Sequence, residues 1–167
     1  GLATISADGR YVAFMSAATN LVAGDTNARE DVFIRDLFTN QTERVSVAAG
    51  GAQGNEHSSE PSFSADARYV AFKSRATNLV PNGPTITNHR IFVHDRLSGT
   101  NEIVSLATDG SDPSNGYCQS PWISADGRYV AFESHTTDLV PGDTNGYNDA
   151  FIHDRLAAGF ATLCDPG

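Results

Sequence analysis

Two stretches of the 167-residue chain place acids and amides at a spacing that suits a hard cation. Gly24-Asp25-Thr26-Asn27-Ala28-Arg29-Glu30-Asp31 and Gly142-Asp143-Thr144-Asn145-Gly146-Tyr147-Asn148-Asp149 both read Asp-x-Asn-x-x-x-Asp. Calcium takes about six to eight oxygen ligands in a small volume, and alternating Asp and Asn in a turning loop supplies several of them. The pattern makes Asp25, Asn27, Asp31, Asp143, Asn145 and Asp149 candidate metal ligands, with calcium as the candidate cofactor. An EF-hand loop places a carboxylate at position twelve, which falls here on Asp36 and Asp154. The seventh residue opens a strand, however, and five strand residues span roughly 16 Å, too far to bend back onto the same ion. A second reading stays open, since Asp and Asn are good turn formers that cap their own backbone amides. The segment Pro81-Asn82-Gly83-Pro84-Thr85-Ile86-Thr87-Asn88 makes the corresponding connection without carboxylates, so the turn itself does not require them.

His94-Asp95-Arg96 and His153-Asp154-Arg155 have the residue types of acid–base machinery, but they recur at equivalent places, with Arg35-Asp36-Leu37 as the first copy. Residues placed by repetition are expected to hold strands together, here by Asp–Arg pairing between repeats. His57, His89 and His135 are not equivalent to one another and read as loop residues. No serine sits in a Gly-x-Ser-x-Gly elbow, and neither a phosphate-binding glycine loop nor a zinc-spaced Cys/His set is present. The least regular segments are 50–60, 82–90 and 108–119. The last leads toward a predicted inner strand and makes Asp109, Asp112, Tyr117 and Trp122 the candidate ligand contacts, although a variable connection would look the same.

The elements that position these groups come from an internal repeat of roughly sixty residues. Ser6-Ala7-Asp8-Gly9-Arg10-Tyr11-Val12-Ala13-Phe14 returns at 64–72 and 124–132 with one change, Gly9 to Ala67. Val32-Phe33-Ile34-Arg35-Asp36 returns at 91–95 and 150–154. Short β-branched and aromatic runs bounded by Gly, Asn and Asp are strands, and no helical stripe interrupts them. In the first repeat strands are predicted near 2–6, 10–16, 31–37 and 43–48, with Asp8-Gly9 as a tight hairpin. Four antiparallel strands repeated in this way define propeller blades, with boundaries at 1–50, 58–108 and 118–164 in a single repeat domain. Tyr11, Phe14, Phe33 and their equivalents are the expected inter-blade core.

Composition narrows the partners. Eleven Lys and Arg against twenty Asp and Glu give a net charge of −9, which disfavours nucleic acid and anionic membranes. No apolar run approaches the roughly 20 residues needed to span a bilayer, and no signal peptide is read at the first residues. Cys118 and Cys164 lie far apart, as free thiols or as one disulfide.

Ser-Ala-Asp-Gly-Arg-Tyr-Val-Ala-Phe, Ala-Thr-Asn-Leu-Val-x-Gly-Asp-Thr-Asn and Asp-Val-Phe-Ile-Arg-Asp, in that order, resemble the TolB-type WD-like β-propeller repeats of bacteria. The resemblance implies a six-bladed or similar all-β propeller, a periplasmic or secreted location, and a role in protein interaction. Three blades then amount to half a ring, so the chain is expected to pair with a second copy or to be part of a longer propeller. The expected function is a non-catalytic module binding a protein, peptide or glycan; the alternative is a propeller hydrolase or lyase with an axial site.

Overall fold

A computed structural model describes residues 3–85 and 87–156, together with the backbone of 160–162. The described residues form twelve strands and no helix: β1 Ala3–Ile5, β2 Tyr11–Ser16, β3 Asp31–Asp36, β4 Gln41–Arg44, β5 Ser58–Phe63, β6 Tyr69–Ser74, β7 Arg90–Asp95, β8 Thr100–Ile103, β9 Cys118–Ile123, β10 Tyr129–Ser134, β11 Asp149–Asp154 and β12 Phe160–Thr162. They make three antiparallel four-stranded sheets, each ordered as its strands occur in the chain. These sheets are the three blades.

The repeated Ser-x-Asp turn explains why each blade folds back at its first hairpin. Ser6 Oγ donates to Asp8 Oδ1 at 2.6 Å, and Asp8 Oδ1 also accepts from the Arg10 amide at 3.0 Å. The residue between them must enter the left-handed region, which glycine does at little cost: φ is 70° at Gly9 and 73° at Gly127, with Ala67 held at 54° in the second copy. The fourth strand begins earlier than 43–48 because Asn40 turns the chain at φ 60°, and it ends at Arg44, where the Ser46 hydroxyl accepts the Val32 amide at 3.1 Å. Inner strands β5 and β9 each carry a bulge at Glu60-Pro61 and Ser120-Pro121, with Glu60 and Ser120 at positive φ. Proline has no amide to give to a ladder, so the pairing breaks there.

The core lies between blades. One cluster joins Ala13, Val32, Ile34 and Val45 of blade one to Val70, Phe72, Leu79 and Phe92 of blade two. The other joins Ala71, Ile91, Val93 and Val104 of blade two to Val130, Phe132, Leu139 and Phe151 of blade three. Each blade thus offers an aromatic face to the blade before it and a small aliphatic face to the blade after it, because side chains alternate along a strand. Cys118 is a buried thiol in the second cluster, bonded to Ser134 Oγ; Cys164 lies outside the described residues.

The Asp–Arg pairs expected between repeats form inside each blade instead. Arg10–Asp36, Arg68–Asp95 and Arg128–Asp154 meet at 2.6–2.8 Å, joining the start of the second strand to the end of the third. Tyr11 registers with Asp36, so Arg10 stands one residue from it, across the hairpin rather than across the blade gap. The guanidiniums hold Asp95 and Asp154 down to about 2, and Asp36 lower still. The blades are stitched by the following residue. Arg96 pairs with Glu43 of blade one at 2.7 Å and lies 4.3 Å over the Tyr11 ring. Arg155 pairs in the same way with Glu102 and lies 4.1 Å over Tyr69. Each also donates to the first-hairpin turn carbonyl of its own blade, Arg96 to Ala67 and Arg155 to Gly127.

Candidate functional site

The Asp/Asn loops lead into the third strand of their blades. In blade one, Asp31 at the start of β3 is wholly buried and accepts Ser46 Oγ at 2.6 Å and Asn27 Nδ2 at 3.1 Å. Asn27 Oδ1 accepts the Arg29 amide, which fixes the loop as an Asx turn. The space between Asp25 and Asp31 holds a cation already. Arg44, reaching up from β4, sets Nη1 3.2 Å from Asp25 and 3.4 Å from Asp31, and 3.1 Å from Gln53 Oε1. Asp36 and Asp154, at the twelfth position, are taken by Arg10 and Arg128.

Blade two inverts this arrangement. Ser74 registers with Arg90 as Ser16 does with Asp31, so an arginine occupies the acid's place. Its guanidinium is fully buried, with Nε 2.7 Å from Asp112, Nη2 donating to the Pro113 carbonyl and Nη1 to the His89 carbonyl. In blade three the loop repeats blade one: Asn145 Nδ2 donates to Asp149 at 3.2 Å, and Asn145 Oδ1 accepts the Tyr147 amide at 2.8 Å. Each metal-candidate loop therefore brings its Asn against its second Asp. Among the described residues, no three His, Cys, Asp or Glu side chains gather at either loop.

The four ligand-contact candidates separate. Asp109 caps its own turn through the Ser111 amide, and Asp112 is engaged by Arg90. Tyr117 packs edge-on against His135, 6.1 Å between centroids. Trp122 alone reaches the inner strands, on β9, with 71% of its surface exposed. There it lines a cleft of about 290 Å³ with Ala3, Thr4, Glu60, Ser62 and Ser120, all from the first strands of the blades. Sequence reasoning missed Glu60, which the bulge turns into this cleft; it pairs with Lys73 and accepts the Ser120 amide at 2.8 Å. The signal was present, since Pro inside a strand pattern marks a bulge or an edge. A neighbouring hollow is lined by His57, Glu60, Lys73, Arg75 and His89. Burial holds His89 below its ordinary value, and Lys73 and Arg75 add to the effect. His94 of the repeated triplet is buried, its Nδ1 2.9 Å from Asn101 Oδ1, which leaves it a strand-bracing role.

Blades joined face to face, with their first strands gathered inward, define this as a segment of a β-propeller. Solved structures bear that out. A putative TolB from Agrobacterium tumefaciens is 16% identical with a TM-score of 0.60, over 96% of this chain and 47% of that one. The β-propeller domain of the Trilobed protease from Pyrococcus furiosus is 13% identical, TM-score 0.55, over 99% of this chain and 43% of that one. An oligogalacturonate lyase from Vibrio parahaemolyticus is 12% identical, TM-score 0.56, over 96% and 38%. The chain thus spans about half the length of the propellers it matches, or less. At these identities the likeness is one of fold, shared by binding proteins and enzymes alike. No protein-family model matches the sequence, and no curated protein matches it.

Proposed function

We propose that this chain is a non-catalytic propeller module of the bacterial periplasm or exterior, which binds a peptide, protein or glycan across the inner-strand cleft. The observation that carries the reading is Trp122, a large apolar ring 71% exposed beside the Glu60–Lys73 pair. An exposed indole next to a few fixed polar groups suits stacking on a sugar ring or an apolar side chain, with the ion pair setting orientation. What favours binding over catalysis is that the cleft's polar groups are engaged with one another: Glu60 with Lys73 and Ser120, and Ser62 Oγ with the Ile123 amide.

Trp122 is the only tryptophan in the chain, so its fluorescence reports on this cleft alone. Titration with a panel of oligosaccharides and peptides is expected to find a ligand that quenches or blue-shifts the emission. Trp122→Ala is then expected to weaken binding of that ligand by about tenfold or more, read by calorimetry, with the melting temperature unchanged; equal affinity in the variant would refute the assignment.

The same reading has the ring completed by a second copy of the chain. Supporting it, the two outer faces lose the inter-blade stitch together. Leu37 stands where Arg96 and Arg155 stand, and Ala161 registers with Ile152 where Glu43 and Glu102 register with Ile34 and Val93. Blade one of one copy set against blade three of another would put Leu37 toward Tyr129 and Ala161, neutral against neutral, leaving no charge unpaired. Several residues buried between blades have uncovered equivalents at the outer face of blade one: Phe72 and Leu79 are buried where Phe14 and Leu21 are half-buried, and Ile123 is buried where Ile5 is exposed, although Phe33 stays buried like Phe92. Apolar faces of this kind mark interfaces, and cyclic pairs are the commonest closed assembly.

A further inference from the structure

We propose that the loop of blade three binds one calcium ion, through Asp143, Asp149 and neighbouring loop oxygens, and that the equivalent loop of blade one does not. The inference is independent of the ligand assigned to the inner cleft.

The same locus recurs in every blade, and in two of them an arginine fills it. In blade one that arginine is Arg44, between Asp25 and Asp31. In blade two it is Arg90, paired with Asp112. Blade three keeps both acids, and among the described residues no arginine pairs with them. Phe33 registers with Arg44, Phe92 with Ile103 and Phe151 with Thr162, so a neutral residue stands at the position Arg44 holds. Arg155, the last arginine among the described residues, is committed to Glu102 and Tyr69.

The Asp25 oxygens and Asp143 Oδ1 are alike buried without a hydrogen bond, but Asp25 has the Arg44 guanidinium 3.2 Å away, and among the described residues Asp143 has no such cation. Asp143 is only 8% exposed, and its Oδ1 is buried with no hydrogen-bond partner. The loop around it repeats two bonds of blade one, Asn145 to Asp149 as Asn27 to Asp31, and Tyr147 to Asn145 as Arg29 to Asn27. By that equivalence Asp143 holds the loop position that Asp25 holds beside Arg44 Nη1 in blade one. A buried carboxylate without a partner is unfavourable, and two carboxylates on a turning loop suit a hard divalent cation large enough to accept irregular geometry, which is calcium rather than magnesium.

The test is calorimetric titration of the chelator-treated chain with calcium chloride, alongside thermal melts. One ion per chain is expected, with a dissociation constant on the order of 10⁻⁴ to 10⁻³ M, and the melting temperature should rise with calcium and fall back with EDTA. Asp143→Asn is expected to lose the binding, and Asp25→Asn to keep it. Exchange of the arginine gives the reciprocal check. Thr162→Arg should abolish the calcium response, while Arg44→Thr should raise the stoichiometry from one to two. Absence of any response in the unaltered chain, binding that survives both Asp143→Asn and Thr162→Arg, or loss of binding in a folded Asp25→Asn variant would each overturn the proposal. Should Asp143→Asn fail to fold, the stoichiometries of the unaltered chain and of Arg44→Thr decide.

Discussion

Gly127→Ala is expected to destabilise the chain by about 3 kcal/mol, while Gly9→Ala at the equivalent turn costs about 1 kcal/mol. Both glycines hold φ near +70°, so the backbone term is common to both. The difference is the neighbour. A Cβ on Gly127 would stand 2.3 Å from Cδ2 of Tyr69, whereas one on Gly9 would meet nothing within 4 Å. Tyr69 cannot easily yield, because Arg155 lies over its ring and Val130 and Phe132 pack in the same cluster. Ala67 shows that the left-handed turn tolerates a methyl group; what blade three does not tolerate is the methyl against the ring of the preceding blade. Urea denaturation of the two variants measures the contrast, and equal costs would mean that blades two and three do not meet through this contact.

Arg90→Ala is expected to cost about 3–5 kcal/mol, the range for removing one partner of a buried ion pair. The guanidinium has no exposed surface, and its loss leaves Asp112 facing a void and the carbonyls of Pro113 and His89 without their donors. Arg68→Ala is the control, since the Arg68–Asp95 pair has an arginine 41% exposed and such solvent-screened surface pairs contribute little to stability. Denaturation midpoints that move equally in the two variants would contradict the buried role of Arg90.

These two residues also mark where sequence reading stopped. The strand pattern, the Asp-Gly turns and the repeat were legible because local chemistry determines them: Ser6, Asp8 and Gly9 make their turn wherever it occurs. The inter-blade position of Phe72 and Phe92 followed from alternation. Arg44 was not legible as a loop residue, because its role depends on the register of β4, which a turn at Asn40 shifted toward the N-terminus. Blade two read as a connection that had lost its acids, whereas Arg90 and Asp112 reverse the charges across 22 positions. Repetition of Asp36, Asp95 and Asp154 points to pairing between blades, whereas the hairpin puts each next to its own blade's arginine, and the inter-blade contact falls to Arg96 and Arg155 one step on. Of the four residues named as ligand contacts, Trp122 reached the inner cleft because it lies on a strand, and the other three followed the connection outward.

The burial difference at Phe14, Leu21 and Ile5, and the joint loss of arginine and glutamate at the outer faces, support the proposal that blade one and blade three of separate copies meet. Size-exclusion chromatography with light scattering tests it most directly. The account predicts a particle of twice the 17.7 kDa chain mass, reduced to a single chain by Leu37→Asp, whose charge would be set against Tyr129 and Ala161. A stable particle of one chain mass at micromolar and higher concentrations, with the outer faces still in place, would contradict it.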